Sequence, residues 1–153
     1  YQKRMDAVNY TLSHDDGVNT ANYDRAEVIL TGVSRTGKTP TCLYLAMQYG
    51  IHAANYPLTP DDFSEQNLPK PLLPHRVKLF GLTIQAERLA KIRNERKPAS
   101  RYASLENCRS EIRSAENLML QARLPVLDTT IMSVEEIAIS ILHTTGLIER
   151  VKS

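Results

Sequence analysis

Gly32, Val33, Ser34, Arg35, Thr36, Gly37, Lys38 and Thr39 place two glycines, a lysine and a threonine at the spacing G-x-x-x-x-G-K-T. That pattern is a phosphate-binding loop when it joins a strand to a helix. Its glycines let the backbone wrap an anion with successive N–H groups pointing inward, and the start of the following helix adds partial positive charge. Lys38 is placed to neutralise terminal phosphate oxygens. The Thr39 hydroxyl is placed to ligate a magnesium ion that bridges two phosphates. Ser34 and Arg35 add polar groups to the loop. Arg35 has two readings, a contact to a transferred phosphoryl group and a solvated surface arginine.

Such a loop works with a second acidic element, and two stretches offer one. Asp128, at the end of the apolar run "LPVLDTT", resembles the strand-end aspartate that holds magnesium through water. It also reads as an ordinary turn residue ahead of a helix. In "SHDDG", His14, Asp15 and Asp16 combine an imidazole with adjacent carboxylates, a set able to supply a metal ligand and a general base for a hydroxyl. Asp-Asp-Gly is equally a common turn. Between residues 88 and 101 the chain carries six basic residues against the single acid Glu95. Arg93, Arg96 and Arg101 are candidates for a segment that closes over phosphates and stabilises transition-state charge. The alternative for each is a solvated helix face.

The loop needs a strand before it and a helix after it, and the chain supplies both. "AEVILTG" reads as a buried strand, and "PTCLYLAMQYG" as a helix with Pro40 in its first turn and Gly50 at its C-cap. "IHAANYPL" and "VKLFGLTI" read as further strands, separated by a proline-rich connector at 57–74 with one short helix opened by Thr59 and Pro60. "QAERLAKIRNER" and "SLENCRSEIRSAENLMLQAR" read as helices and "PVLDTT" as a strand. A capping box of Ser133 and Glu136 opens the last helix. Alternating strands and helices predict an α/β fold, a P-loop nucleotide-kinase-like parallel sheet flanked by helices.

The whole 153-residue chain is expected to be one P-loop domain, with residues 1–24 a leading segment that carries the His-Asp-Asp motif. The chain opens without methionine, and its first strong strand comes near residue 27, so the expectation is the C-terminal part of a longer protein. A net charge of +2 is too small to argue by itself for a nucleic-acid partner, and none is expected. Cys42 and Cys108 lie far apart without a CxxC or histidine companion, which indicates neither a disulfide framework nor a zinc site and fits a cytoplasmic setting. No apolar run approaches the roughly 20 residues that span a bilayer, so no membrane partner is expected.

The protein-kinase markers HRD and DFG and the guanine-binding Asn-Lys-x-Asp signature are absent from the sequence. A phosphotransferase or nucleotide switch of another lineage remains. Taken together, "NYTLSHDDG", "GVSRTGKTPTCLYLA", "AANYPLT", "KLFGLTI", "IRNERKPASRYASLENC" and "SVEEIA" resemble the bacterial phosphoenolpyruvate synthase regulatory proteins, relatives of the pyruvate, phosphate dikinase regulatory proteins. The resemblance runs from about residue 7 to 146. It implies a bifunctional enzyme. One activity is an ADP-dependent Ser/Thr kinase that inactivates phosphoenolpyruvate synthase on a threonine near its catalytic histidine. The other is a phosphate-dependent phosphorylase that reverses this and forms pyrophosphate. The dikinase is the alternative target. The resemblance raises Asp15 and Asp16 as bases, with His14 as orienter or alternative base. Two other classes stay open on the residues alone, a P-loop kinase of a small metabolite or nucleotide and a nucleotide-binding switch without transfer chemistry.

Overall fold

The computed structural model describes residues 1–15, 23–64 and 67–152. Four strands form one parallel sheet: β1 (Val28–Gly32), β2 (Ala53–Pro57), β3 (Leu79–Thr83) and β4 (Val126–Asp128), in the order β2-β1-β3-β4. The seven helices among the described residues are α1 (Gln2–Ser13), α2 (Lys38–Tyr49), α3 (Pro60–Phe63), α4 (Ala86–Arg96), α5 (Leu105–Gln121), α6 (Val134–Thr145) and α7 (Leu147–Lys152). The expected parallel sheet flanked by helices is therefore what the chain forms. No helix among the described residues is long and apolar enough to cross a membrane.

Every residue of β1 and β3 is buried, as a central parallel strand covered on both faces requires. Their side chains alternate between two cores. Val28, Leu30, Phe80 and Leu82 pack with Cys42 and Leu45 of α2 and with Ile137, Ile141 and Leu142 of α6. Ile29 and Leu79 lie on the other face with Cys108, Ile112, Leu118 and Met119 of α5 and Leu89 of α4. β4 is a short, half-exposed edge, consistent with its position at the end of the sheet.

Local signals set the helix ends. Gly50 and Gly146 terminate α2 and α6 in the left-handed conformation, with φ of 66° and 80°. Ser133 and Glu136 form the expected capping box of α6, and Thr59 with Asp62 forms a second at α3. Three segments differ from the sequence reading. The leading segment contains α1, which carries no side-chain cap at its start and buries only Ala7, Tyr10 and Thr11. Part of the proline-rich connector coils into a 3-10 stretch at Lys70–Lys78, and α7 follows α6 after the Gly146 break.

The order β2-β1-β3 means that the chain leaves β1 to one side and returns on the other. A parallel sheet of this kind opens a crevice at the carboxyl ends of the strands where the order reverses. The loop at 32–39 emerges from β1 at that position, with the ends of β2 and β3 on either side.

Candidate functional site

β1 runs directly into the loop, and sterics explain its first glycine. Gly32 has φ of +145°, and a Cβ there would lie 2.2 Å from the carbonyl oxygen of Leu82 on the neighbouring strand. The second loop glycine, Gly37, has φ of +93° and immediately precedes α2. Arg35 also takes a positive φ, 70°, and is exposed at the rim. The loop is closed from within. The Thr36 hydroxyl donates to the Val33 carbonyl at 3.1 Å, and the Lys38 ammonium donates to the same oxygen at 2.5 Å and to Thr36 Oγ1 at 3.3 Å. Lys38 is only 3% exposed, so its charge sits inside the curl of the loop. The Thr129 hydroxyl, just beyond β4, donates to the Thr36 carbonyl at 3.1 Å and is 3.2 Å from that of Thr83, which ties the loop to the ends of β3 and β4.

The leading segment brings its carboxylate to the loop. Asp15 Oδ1 accepts hydrogen bonds from the Thr39 hydroxyl at 2.8 Å and from the Asn55 side-chain amide at 2.7 Å. Asn55, buried in β2, also donates its backbone N–H to the His14 carbonyl at 3.4 Å and accepts from the Tyr23 hydroxyl at 3.2 Å. Asn55 thus fastens the segment that carries His14 and Asp15 beside α2. Asp16 lies outside the described residues. The His14 ring is buried and stacked on Tyr10, with centroids 4.0 Å apart and Nδ1 2.8 Å from the Tyr10 carbonyl. Nδ1 is therefore the donor, and Nε2 has no hydrogen-bond partner among the described residues. It is the His14 carbonyl, and not the ring, that bonds to Asn55, the residue whose amide also holds Asp15. Burial around this stack pushes the Tyr10 hydroxyl up to about 12, with smaller effects from Asp24 and Arg25.

Asp128 makes different hydrogen bonds. Its exposed carboxylate accepts from the Thr130 N–H at 2.9 Å and from the Thr130 hydroxyl at 2.5 Å, closing the turn after β4. The carboxylate bonded to Thr39 is that of Asp15, 24 residues away along the chain. A hydroxyl and a carboxylate side by side are hard oxygen donors, the set that magnesium takes together with phosphate oxygens and water. Thr39 and Asp15 therefore fit such an ion. Among the described residues no group of three His, Cys, Asp or Glu side chains stands ready to hold a metal alone.

The three arginine candidates separate. Arg93 on α4 is fully buried and forms a two-pronged pair with Glu111 of α5, both bonds 3.0 Å. It also donates to Ser34 Oγ and to the Tyr102 carbonyl, each at 3.0 Å, and lies 4.0 Å from the centre of the Tyr102 ring. Burial opposes its charge, but the Glu111 hydrogen bonds and charge outweigh this and hold the guanidinium in its charged form. This corrects the expectation of a closing segment at Arg93, because a guanidinium with these partners is part of the core. Arg96, one turn further along α4, lines a cleft of about 710 Å³ with Arg35, Lys38, Thr39 and Tyr102. Arg101 lines an adjoining pocket with Lys97, Pro57 and Tyr102. The sequence reading missed Asn55, Glu111 and Thr129 and gave Tyr102 no weight, since nothing local distinguishes them from ordinary core, helix and turn residues.

The cleft sets a carboxylate beside the threonine of the loop at 32–39, and comparison with known proteins gives the family. Residues 1–142 match the family described as "Kinase/pyrophosphorylase". A protein of Laribacter hongkongensis (strain HLHK9), described as "Putative phosphoenolpyruvate synthase regulatory protein", is 60% identical over 150 residues, covering 98% of this chain and 55% of that protein. Proteins with the same description from Marinobacter nauticus and Bordetella avium are each 58% identical over 147 residues, covering 96% of this chain and 54% of theirs. The chain spans about half the length of the curated relatives it matches. With the family match over nearly its whole length, the chain belongs to the kinase/pyrophosphorylase family.

Proposed function

We propose that this chain carries the active site of a bifunctional regulator of phosphoenolpyruvate synthase, an ADP-dependent Ser/Thr kinase and a phosphate-dependent, pyrophosphate-forming phosphorylase. The observation that carries the reading is the Asp15 carboxylate at 2.8 Å from the Thr39 hydroxyl, which places an acid of the His-Asp-Asp segment at the mouth of the phosphate loop. The family description and the descriptions of the relatives support the same class of chemistry and the same target.

In the forward direction the β-phosphate of ADP sits in the curl of residues 32–39. Lys38, now bonded to the Val33 carbonyl, turns its ammonium to the phosphate oxygens. A carboxylate of the Asp15-Asp16 pair takes the proton of the acceptor threonine as its oxygen attacks the β-phosphorus. The bond from that phosphorus to the bridging oxygen breaks, and AMP leaves. In reverse, inorganic phosphate in the same cradle attacks the phosphothreonine phosphorus. The threonine oxygen regains a proton and pyrophosphate departs. Thr39 and Asp15 would hold magnesium, which would supply charge neutralisation to the phosphates. Asp15 and Asn55 keep the Thr39 hydroxyl in place, while Arg35 and Arg96 add positive charge to the cleft walls.

The test is transfer of label from β-labelled ADP to phosphoenolpyruvate synthase, with Lys38→Ala, Asp15→Asn and Asp16→Asn proteins in parallel. Label on a threonine in the parent, lost in Lys38→Ala, is the expected result. Full transfer by an Asn variant removes that aspartate from the base role. Label on a free metabolite, with none on the synthase, would replace this reading with a small-molecule kinase.

A further inference from the structure

One feature of the cleft lies outside the phosphate-loop pattern. Ser34 Oγ and the Tyr102 hydroxyl are 2.6 Å apart, and Arg93 donates to Ser34 Oγ at 3.0 Å. A guanidinium only donates. The two hydroxyls carry two protons, and one lies on the line between their oxygens. The second proton has neither Arg93 nor the partner hydroxyl as an acceptor, whichever residue bears it. Both side chains line the cleft beside Lys38 and Thr39. The pair therefore presents one O–H donor whichever way the hydrogen bond between its hydroxyls runs, and the adjacent cation polarises it.

Resting on the phosphate-site reading above, we propose that the Ser34–Tyr102 hydroxyl pair donates a hydrogen bond to a phosphate oxygen in the cleft. The ligand class is a phosphate anion, free or as the terminal group of a nucleoside diphosphate. Arg93 is the positioning residue. Its charge is matched by Glu111, its face stacks on the Tyr102 ring, and its N–H groups hold the Tyr102 carbonyl and Ser34 Oγ. Residues 97–104, between α4 and α5, are thereby joined to the phosphate loop by the two groups that would touch the anion.

The experiment is calorimetric titration of inorganic phosphate and, separately, of ADP into the parent, Tyr102→Phe, Ser34→Ala and the double variant. Tyr102→Phe keeps the ring against Arg93 and removes only the hydroxyl. Each single variant keeps one hydroxyl whose proton is free to reach the anion, so only a small loss is expected in either. The double variant removes both donors and should bind about tenfold more weakly, the effect of losing one hydrogen bond to a charged group, a loss larger than the two single losses together. Weakening for both ligands places the pair at a position that both occupy, and weakening for one alone identifies the source of the anion. Unchanged affinity of the double variant for both ligands would overturn the proposal. A parent that binds neither ligand would overturn the phosphate-site reading itself. A melting curve of each variant taken alongside separates loss of the donors from loss of the fold.

Discussion

Glu111→Ala would leave the Arg93 guanidinium charged, buried and without its counter-ion. In the folded protein Arg93 is 0% exposed, and Glu111 accepts two of its four 3.0 Å bonds as well as one of 2.6 Å from the Asn107 amide. Arg93 Nε is already without a partner among the described residues, so the site has little spare capacity to absorb the loss. Removing one member of a buried pair costs about 3–5 kcal/mol. For a domain of this size each kcal/mol moves the melting temperature by roughly 2–4 °C, which gives a fall of about 6–20 °C. Urea titration of Glu111→Ala, Arg93→Met and the Arg93→Met/Glu111→Leu double variant measures the coupling. The double variant should lose less than Glu111→Ala alone, because no charge is then stranded. A loss under about 1 kcal/mol in Glu111→Ala, or additive losses in the double variant, would refute the view that this pair is a buried, mutually dependent unit.

Two further outcomes follow from the geometry. Gly32→Ala should destabilise far more than Gly37→Ala in denaturant titrations. The first places a methyl 2.2 Å from a backbone oxygen of the central sheet, while the second meets nothing closer than 3.8 Å and bears only the backbone strain of about 1 kcal/mol. Equal losses would mean that β1 and β3 separate freely at that point. Glu27 sets an acid-side dependence. Burial works against its charge, but the Arg150 hydrogen bond, the His52 N–H and the charges of Arg150 and His52 together hold its carboxyl below the ordinary glutamate value. A carboxyl lowered on folding contributes stability above its unfolded pKa, and that contribution disappears as pH falls through the folded value. Stability measured from pH 6 downward should therefore fall more steeply in the parent than in Glu27→Gln, and parallel curves would remove Glu27 from the account.

The elements around the loop were legible because their signals are local. An apolar run ending in glycine, a helix with a glycine C-cap and a serine-glutamate capping box act within a few residues, and β1, α2 and α6 form where these signals stand. α1 was not legible, because its sequence "QKRMDAVNYTLS" is polar on most sides and lacks a cap. What it buries is decided by α2 and β2, which lie further along the chain. Arg93 misled for a related reason. Within "KIRNERK" it is one basic residue among several, and its burial depends on Glu111 and Tyr102 meeting it from α5 and the preceding loop.

The amino-acid sequence alone determined the G-x-x-x-x-G-K-T loop and its setting between strand and helix, since both follow from contacts between near neighbours. It also determined the parallel α/β class, through the alternation of strand and helix patterns. Only the tertiary structure decided which carboxylate lies beside the loop. Asp15 and Asp128 both had the right chemistry, but Asn55 and the Thr39 hydroxyl bind Asp15, while Thr130 draws Asp128 into a turn. It likewise decided which arginine faces the cleft, because one turn of α4 separates a side chain sealed against Glu111 from one that lines open space. Spacing along a chain specifies a side chain's chemistry and its local direction. Which partner it meets is set by strand order and helix packing, which join residues tens of positions apart.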